Sequence, residues 1–185
     1  IDYIVLHMTK LFKLSIALPL TLFTLAHFLS AEPFKSTYTP LPSKNLLIKN
    51  ANIYDGEGNE FLQTDLLILD RKIAAIGKDL PVSEEFEVID ASGKWVTPGI
   101  IDIHSHMGVY PAPGVRTSSD GNEATSPVTA DVWAEHSIWV QDPQYTLALS
   151  GGVTAFHILP GSANLIGGRG VTVKNLQRNT INSMK

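Results

Sequence analysis

The chain has 185 residues, 44% of them hydrophobic and 17% charged, with a formal net charge of -4. That composition belongs to a globular protein rather than a disordered one, and the scattered 14 Lys and Arg form no basic patch for nucleic acid. With no Cys, disulfide frameworks and thiolate zinc sites are excluded, so any metal must be held by His, carboxylate or a Lys-derived ligand.

Residues 1–7 precede the first Met, Met8, and read as upstream of the translated start. Met8, Lys10 and Lys13 make a basic start, residues 14–29 an apolar run, and Ser30 and Ala31 a small-residue end before Glu32. Basic, apolar, then small is the order of a secretory signal peptide, here 8–31. The run carries Pro19 and His27 and falls short of the roughly 20 residues of a membrane span. Export, to the periplasm or the exterior, is the expectation, and the membrane is met only through this signal. A core helix and an uncleaved anchor are the alternatives.

Residues 32–44 hold Pro33, Pro40 and Pro42 and read as an extended linker. From 45 to 97, short apolar runs at 46–48, 51–54, 66–69, 73–76, 86–89 and 94–96 alternate with turn residues such as Asp55-Gly56-Glu57-Gly58 and Asp70-Arg71-Lys72. This spacing predicts a small sheet or β-sandwich. At Pro98 the pattern changes. Residues 100–106 read as a strand buried on both faces, as in a parallel sheet, followed by a Gly/Pro/Ser-rich loop over 108–127. A helix is expected over 130–140, and a better-punctuated one from Asp142-Pro143 to Leu149, closed by Ser150-Gly151-Gly152. A strand over 153–159, a glycine-rich loop over 160–170 and a short strand over 171–173 complete the chain. Strand, helix, strand predicts an α/β architecture.

Side chains alternate along a strand, so Asp102, His104 and His106 are expected on one face, with Ile101 and Ile103 on the other toward covering helices. Two imidazoles two residues apart can bind one metal ion or share a binuclear centre. Taken alone, His-x-His is equally a pair of hydrogen-bonded core or surface histidines. Asp102 either supports the pair from behind or serves the strand interior. His157 reads as a satisfied core histidine, His136 as a surface residue, and Trp133 and Trp139 as packing residues. The loop 160–170 could cradle a carboxylate or phosphate on backbone N–H groups or be a structural turn; it lacks the Lys-Ser/Thr ending of a P-loop. Asn122, Glu123, Asn164 and Arg169 are the substrate-loop candidates, Arg169 as a partner for an acidic group.

The string Val96-Thr97-Pro98-Gly99-Ile100-Ile101-Asp102-Ile103-His104-Ser105-His106 resembles the signature of the amidohydrolase superfamily, where it ends the first strand of a (β/α)8 TIM barrel. Residues 50–56 and 73–77 are similar to that family's small N-terminal β-domain. Asn122-Glu123-Ala124-Thr125, Gly151-Gly152-Val153-Thr154 and residues 160–168 resemble its imidazolonepropionase-related branch. The resemblance runs over roughly 45–174. It implies an α/β fold: a small β-sandwich domain (45–97), then the first two or so units of the barrel (98–185), the N-terminal portion of an amidohydrolase.

By this resemblance His104 and His106 hold the more buried metal of a one- or two-ion centre, commonly Zn2+, at the C-terminal ends of the barrel strands. The implied reaction is hydrolysis of a C–N bond in a small-molecule amide or dipeptide-like substrate, cyclic amides included, by a metal-activated water. A barrel takes about 250 residues. The family's bridging Lys or Glu, two further His and catalytic Asp come from later strands, so the catalytic residues are expected beyond Lys185. A chain confined to these residues is expected to be inactive and to expose apolar barrel surface. A deaminase or another hydrolase of the superfamily is the alternative, and a non-enzymatic secreted β-domain with an incidental His pair is an alternative of another class. Assembly into a homo-oligomer stays open.

Overall fold

A computed structural model describes residues 35–185. The expected upstream residues 1–7, the signal peptide 8–31 and the start of the linker lie outside the described residues. In the later part of the linker the backbone N–H groups of Thr37 and Tyr38 both donate to the Lys185 carbonyl.

The 45–97 region folds into one mixed five-stranded sheet of β1 (Asn45–Tyr54), β2 (Glu60–Leu69), β3 (Lys72–Gly77), β4 (Phe86–Asp90) and β5 (Trp95–Val96). The order is β3-β2-β1-β4, with β5 pairing farther along β1. Among the described residues this sheet is the one layer of the expected sandwich. The two apolar runs at 46–48 and 51–54 are one strand, interrupted by a bulge in its pairing with β2. Asn50 sits in the bulge at φ 59°, a left-handed conformation that Asn tolerates. Its N–H donates to buried Asp65 at 3.0 Å, and Lys49 lies 3.7 Å from the same carboxylate. Asp70 and Arg71 both take positive φ, as a two-residue type I′ hairpin requires, and join β2 to β3.

In the Asp55–Asn59 turn the Asp55 carboxylate accepts the Asn59 side-chain amide at 2.6 Å and the N–H groups of Glu57 and Asn59. These bonds, led by the Asn59 amide, hold its carboxyl below the usual carboxylate range. Ala51, Ile53, Leu66 and Ala91 form the small core of this part.

The 98–185 region carries β6 (Ile100–Ser105), α1 (Gln144–Ser150), β7 (Val153–Ile158) and β8 (Val171–Lys174). β6 and β7 run parallel and flank α1, the crossover that a parallel pair needs. β8 turns back antiparallel onto β7, giving the order β6-β7-β8. The core here comprises Val109, Tyr145, Phe156, Ile158, Val171, Val173 and Met184. The outer residues of β6, expected to face covering helices, lie open to solvent, Ile103 at 77% exposure. Among the described residues no helix is long and apolar enough to cross a membrane.

The helix expected over 130–140 is replaced by extended chain with a single 3-10 turn at Ala134–His136. Its backbone groups are committed sideways. Thr129 N–H donates to the Ile166 carbonyl, Arg169 N–H to Val132, and Ala134 N–H to Arg169. With β-branched Val132 in the segment and Val128 and Thr129 just before it, pairing with the 165–169 chain outcompetes a helix.

Tyr145 of α1 is buried edge-on against Phe156, ring centroids 5.8 Å apart. Burial first, then the nearby Asp142 carboxylate, pushes its phenol well above the ordinary value. The folded state thus holds this proton more tightly than the unfolded one. The associated stability is full below about pH 10 and falls as pH climbs above it toward the raised folded value. Tyr145→Phe is expected to flatten the alkaline limb of a stability-against-pH curve measured by urea unfolding. Identical alkaline limbs in the two proteins would contradict this.

Candidate metal site

His104 and His106 stand at the C-terminal end of β6, where the chain leaves the sheet for the 108–127 loop. Pairing with β7 is irregular at this point. Asp102 pairs with Phe156 and Ser105 with Ile158, so β6 takes three steps against two of its partner. The extra residue is a β-bulge, a device that re-aims side chains at strand ends. It breaks the simple alternation expected to set Asp102 level with both histidines. The Asp102 carboxylate instead accepts the backbone N–H of His104 at 3.1 Å, bracing the bulge rather than an imidazole.

The two imidazoles meet edge to face, with ring centroids 5.5 Å apart at 89°. His106 Nδ1 lies 2.9 Å from the Leu159 carbonyl oxygen. A carbonyl only accepts, so Nδ1 carries the hydrogen and the Nε2 lone pair is left for a cation. Tetrahedral zinc with Zn–N bonds of about 2.0–2.1 Å sets two ligand rings with centroids about 5 Å apart, close to the observed spacing. The donor set therefore fits a divalent cation. Among the described residues no third His, Asp or Glu joins the pair. A catalytic zinc normally has three protein ligands, one more than this pair would supply.

The structure brings Asn122, Glu123 and Asn164 together and uses their polar groups to tie two loops. Asn122 Nδ2 donates to the Tyr110 hydroxyl at 2.5 Å, while its Oδ1 accepts Ala163 N–H at 3.2 Å. Asn164 Nδ2 donates to the carbonyls of Glu123 and Ser126 at 2.6 and 2.7 Å. Glu123 accepts from Thr125, whose bonds hold the Glu123 carboxyl below its ordinary value. Arg169 stays apart from this cluster, its guanidinium 5.0 Å from the centre of the Trp133 ring. A cavity of about 300 Å3 opens beside the loops, lined by Asp120, Glu123, Asp131, Trp133 and His136 among others; neither His104 nor His106 lines it. His157 is partly buried and bonded through Nδ1 to Thr172 Oγ1 at 2.9 Å, a satisfied histidine as expected. His136 is exposed, also as expected.

The loop 160–170 is a joint rather than an anion cradle. Its N–H groups at Gly161, Ala163, Leu165, Ile166 and Arg169 already donate to protein oxygens. Its glycines permit close approach: a Cβ at Gly161 would overlap the Tyr110 hydroxyl and Asn122, and one at Gly168 would overlap the Val132 carbonyl.

Sequence reasoning passed over Tyr110, which packs edge-on against His106 at 5.5 Å. Its only sequence signal is an aromatic residue one helical turn past the second histidine. The Leu159 carbonyl has no signal at all, since a backbone acceptor is not written in residue identity.

No family model matches the chain. It is 37% identical over 149 residues to an amidohydrolase of Hapsidospora irregularis, covering 71% of this chain and 15% of that protein. It is 46% identical over 84 residues to a dihydroorotase of Lactobacillus leichmannii, covering 44% of this chain and 18% of that protein. Among solved structures, an amidohydrolase from Thermotoga maritima MSB8 superposes with a TM-score of 0.66 at 39% identity, over 74% of this chain and 35% of that one. The chain thus spans well under half the length of these relatives. With its β-domain leading into parallel strands and the His pair at the end of the first of them, the chain belongs to the amidohydrolase superfamily. Its architecture is that of the N-terminal portion of a TIM-barrel amidohydrolase, as the sequence predicts.

Proposed function

We propose that the protein is an exported metal-dependent hydrolase that cleaves a C–N bond in a small-molecule amide, cyclic amides and dipeptide-like compounds included, with His104 and His106 as metal ligands. The observation that carries this reading is His106 Nδ1–H bonded to the Leu159 carbonyl, with the two rings at ligand spacing. Relatives that hydrolyse C–N bonds support the reaction class. A divalent cation held there, Zn2+ in our reading, supplies Lewis-acid activation of a carbonyl and acidification of a water. The chain's own part is orientation. Leu159 fixes the tautomer and rotation of His106, Asp102 braces the strand under His104, and Asn122 and Asn164 hold the two loops beside the pair. The basic, apolar and small order of residues 8–31 supports export.

The test is hydrolysis by the purified full-length protein of a panel of amides, cyclic amides and dipeptides, before and after dialysis against a chelator. We expect turnover of at least one class, its loss with the metal, and its return with Zn2+. Turnover indifferent to chelation, with no metal bound, would refute the reading. Release of ammonia from an amino-substituted ring without ring opening would favour a deaminase instead.

A further inference from the structure

We propose that Tyr110 is a positioning residue for the His106 imidazole, coupling it to both loops beside the strand ends; this rests on the metal reading above. The chain curls back after β6: the His106 carbonyl accepts the N–H groups of Val109 and Tyr110 at 3.2 and 3.1 Å, and Gly108 takes φ 77°. This turn returns the Tyr110 ring against His106, edge to face at 88°. The Tyr110 hydroxyl is held by Asn122, and Asn122 in turn by Ala163 N–H. The two loops also meet directly, Gly161 N–H donating to the Gly121 carbonyl. Both glycines are shaped around the tyrosine, since a Cβ at Gly121 would overlap its ring and one at Gly161 its hydroxyl.

These contacts close a circuit. The segment that fixes His106 directly, through Leu159, continues two residues later into Gly161, which packs on Tyr110. His106 is therefore held on two sides by the same pair of loops. One contact is a hydrogen bond that sets ring rotation, and the other is an aromatic edge that limits lateral movement. A movement of the Asn122 loop must displace Tyr110, and with it one of the two contacts that orient the ligand.

The experiment measures Zn2+ affinity of the full-length protein by competition with a chromophoric chelator, together with the visible spectrum of the Co2+-loaded protein. Tyr110→Leu is expected to lose about tenfold in Zn2+ affinity and to shift the Co2+ band, the scale of losses seen for outer-sphere partners of metal ligands. Tyr110→Phe and Asn122→Ala each break one link of the circuit. Each is expected to lose about threefold, and the double variant no more than either alone, because the links act in series. Affinities and spectra equal to the parent protein in all of these would overturn the proposal, as would losses that simply add. If Tyr110→Leu fails to fold, Tyr110→Phe and Asn122→Ala decide it by the same criteria. Zn2+ binding that survives His104→Ala with His106→Ala overturns the metal reading and the proposal with it. Binding that depends on the histidines but is unchanged in the Tyr110 and Asn122 variants overturns the proposal alone.

Discussion

Replacing His104 and His106 together by alanine is expected to strip the divalent cation from the full-length protein and to lower its hydrolysis rate by about a thousandfold. The magnitude follows from the several kcal/mol of transition-state stabilisation a catalytic cation supplies, at 1.36 kcal/mol per decade, or about three decades. Both rings are needed, since no third His, Asp or Glu of the described residues joins the pair to take the place of either. The two single variants should differ. His104 is exposed and its loss leaves no buried group unpaired. His106→Ala also removes the donor to the Leu159 carbonyl and so loosens the loop that follows β7. We therefore expect His104→Ala to unfold at nearly the parent temperature and His106→Ala to unfold somewhat earlier, with metal content falling in both. Metal analysis, a rate assay and a thermal melt read the three effects separately. A double variant with parental metal content and rate would remove this pair from the mechanism.

Asp142→Ala is expected to be the most destabilising single substitution in the 98–185 region, costing about 3–5 kcal/mol in denaturant unfolding. The carboxylate is fully buried and accepts four bonds. Gly108 N–H reaches it at 3.1 Å, Ala112 N–H at 3.3 Å, Gln144 N–H at 3.0 Å and the Gln144 side-chain amide at 2.9 Å. It thus holds the first N–H of α1 and at the same time anchors the turn that carries Tyr110 back to His106. Truncation leaves three backbone donors without partners in the interior, each a penalty of about 1–3 kcal/mol partly relieved by water or relaxation. Asp142→Asn keeps the shape and one acceptor oxygen, and should cost roughly half as much. Equal, small losses in both variants would show that the network tolerates a missing acceptor. The same substitution should lower metal affinity indirectly, since Gly108 and Tyr110 belong to the segment it holds.

Much of the fold was legible because its signals are local. Asp70-Arg71-Lys72 between apolar runs reads as a tight polar connection, and the structure makes a two-residue turn there with Asp70 and Arg71 at positive φ. Asp142-Pro143 marked a helix start, and the Asp142 carboxylate does accept Gln144 N–H there. The helix expected over 130–140 failed for a non-local reason. Its residues find hydrogen-bond partners in the 165–169 chain, which no window around 130–140 contains. Alternation likewise stopped short at Asp102, because a bulge is a relation between two strands and not a property of one.

Residues 96–106, as a string, carried the resemblance to the family, while the strand and the two imidazoles at its end are read from residue type and spacing. Only the tertiary structure decided how the imidazoles are held. The Leu159 carbonyl that fixes the His106 tautomer lies 53 positions away and is a backbone atom. The contact of Tyr110 with His106 depends on a tight turn at Gly108, and its bond to Asn122 on the packing of two glycine-bearing loops. Orientation is set by contacts between segments brought together by burial, and such contacts leave no periodic trace along the chain. The His pair is written in the sequence, while its aim is a product of the fold.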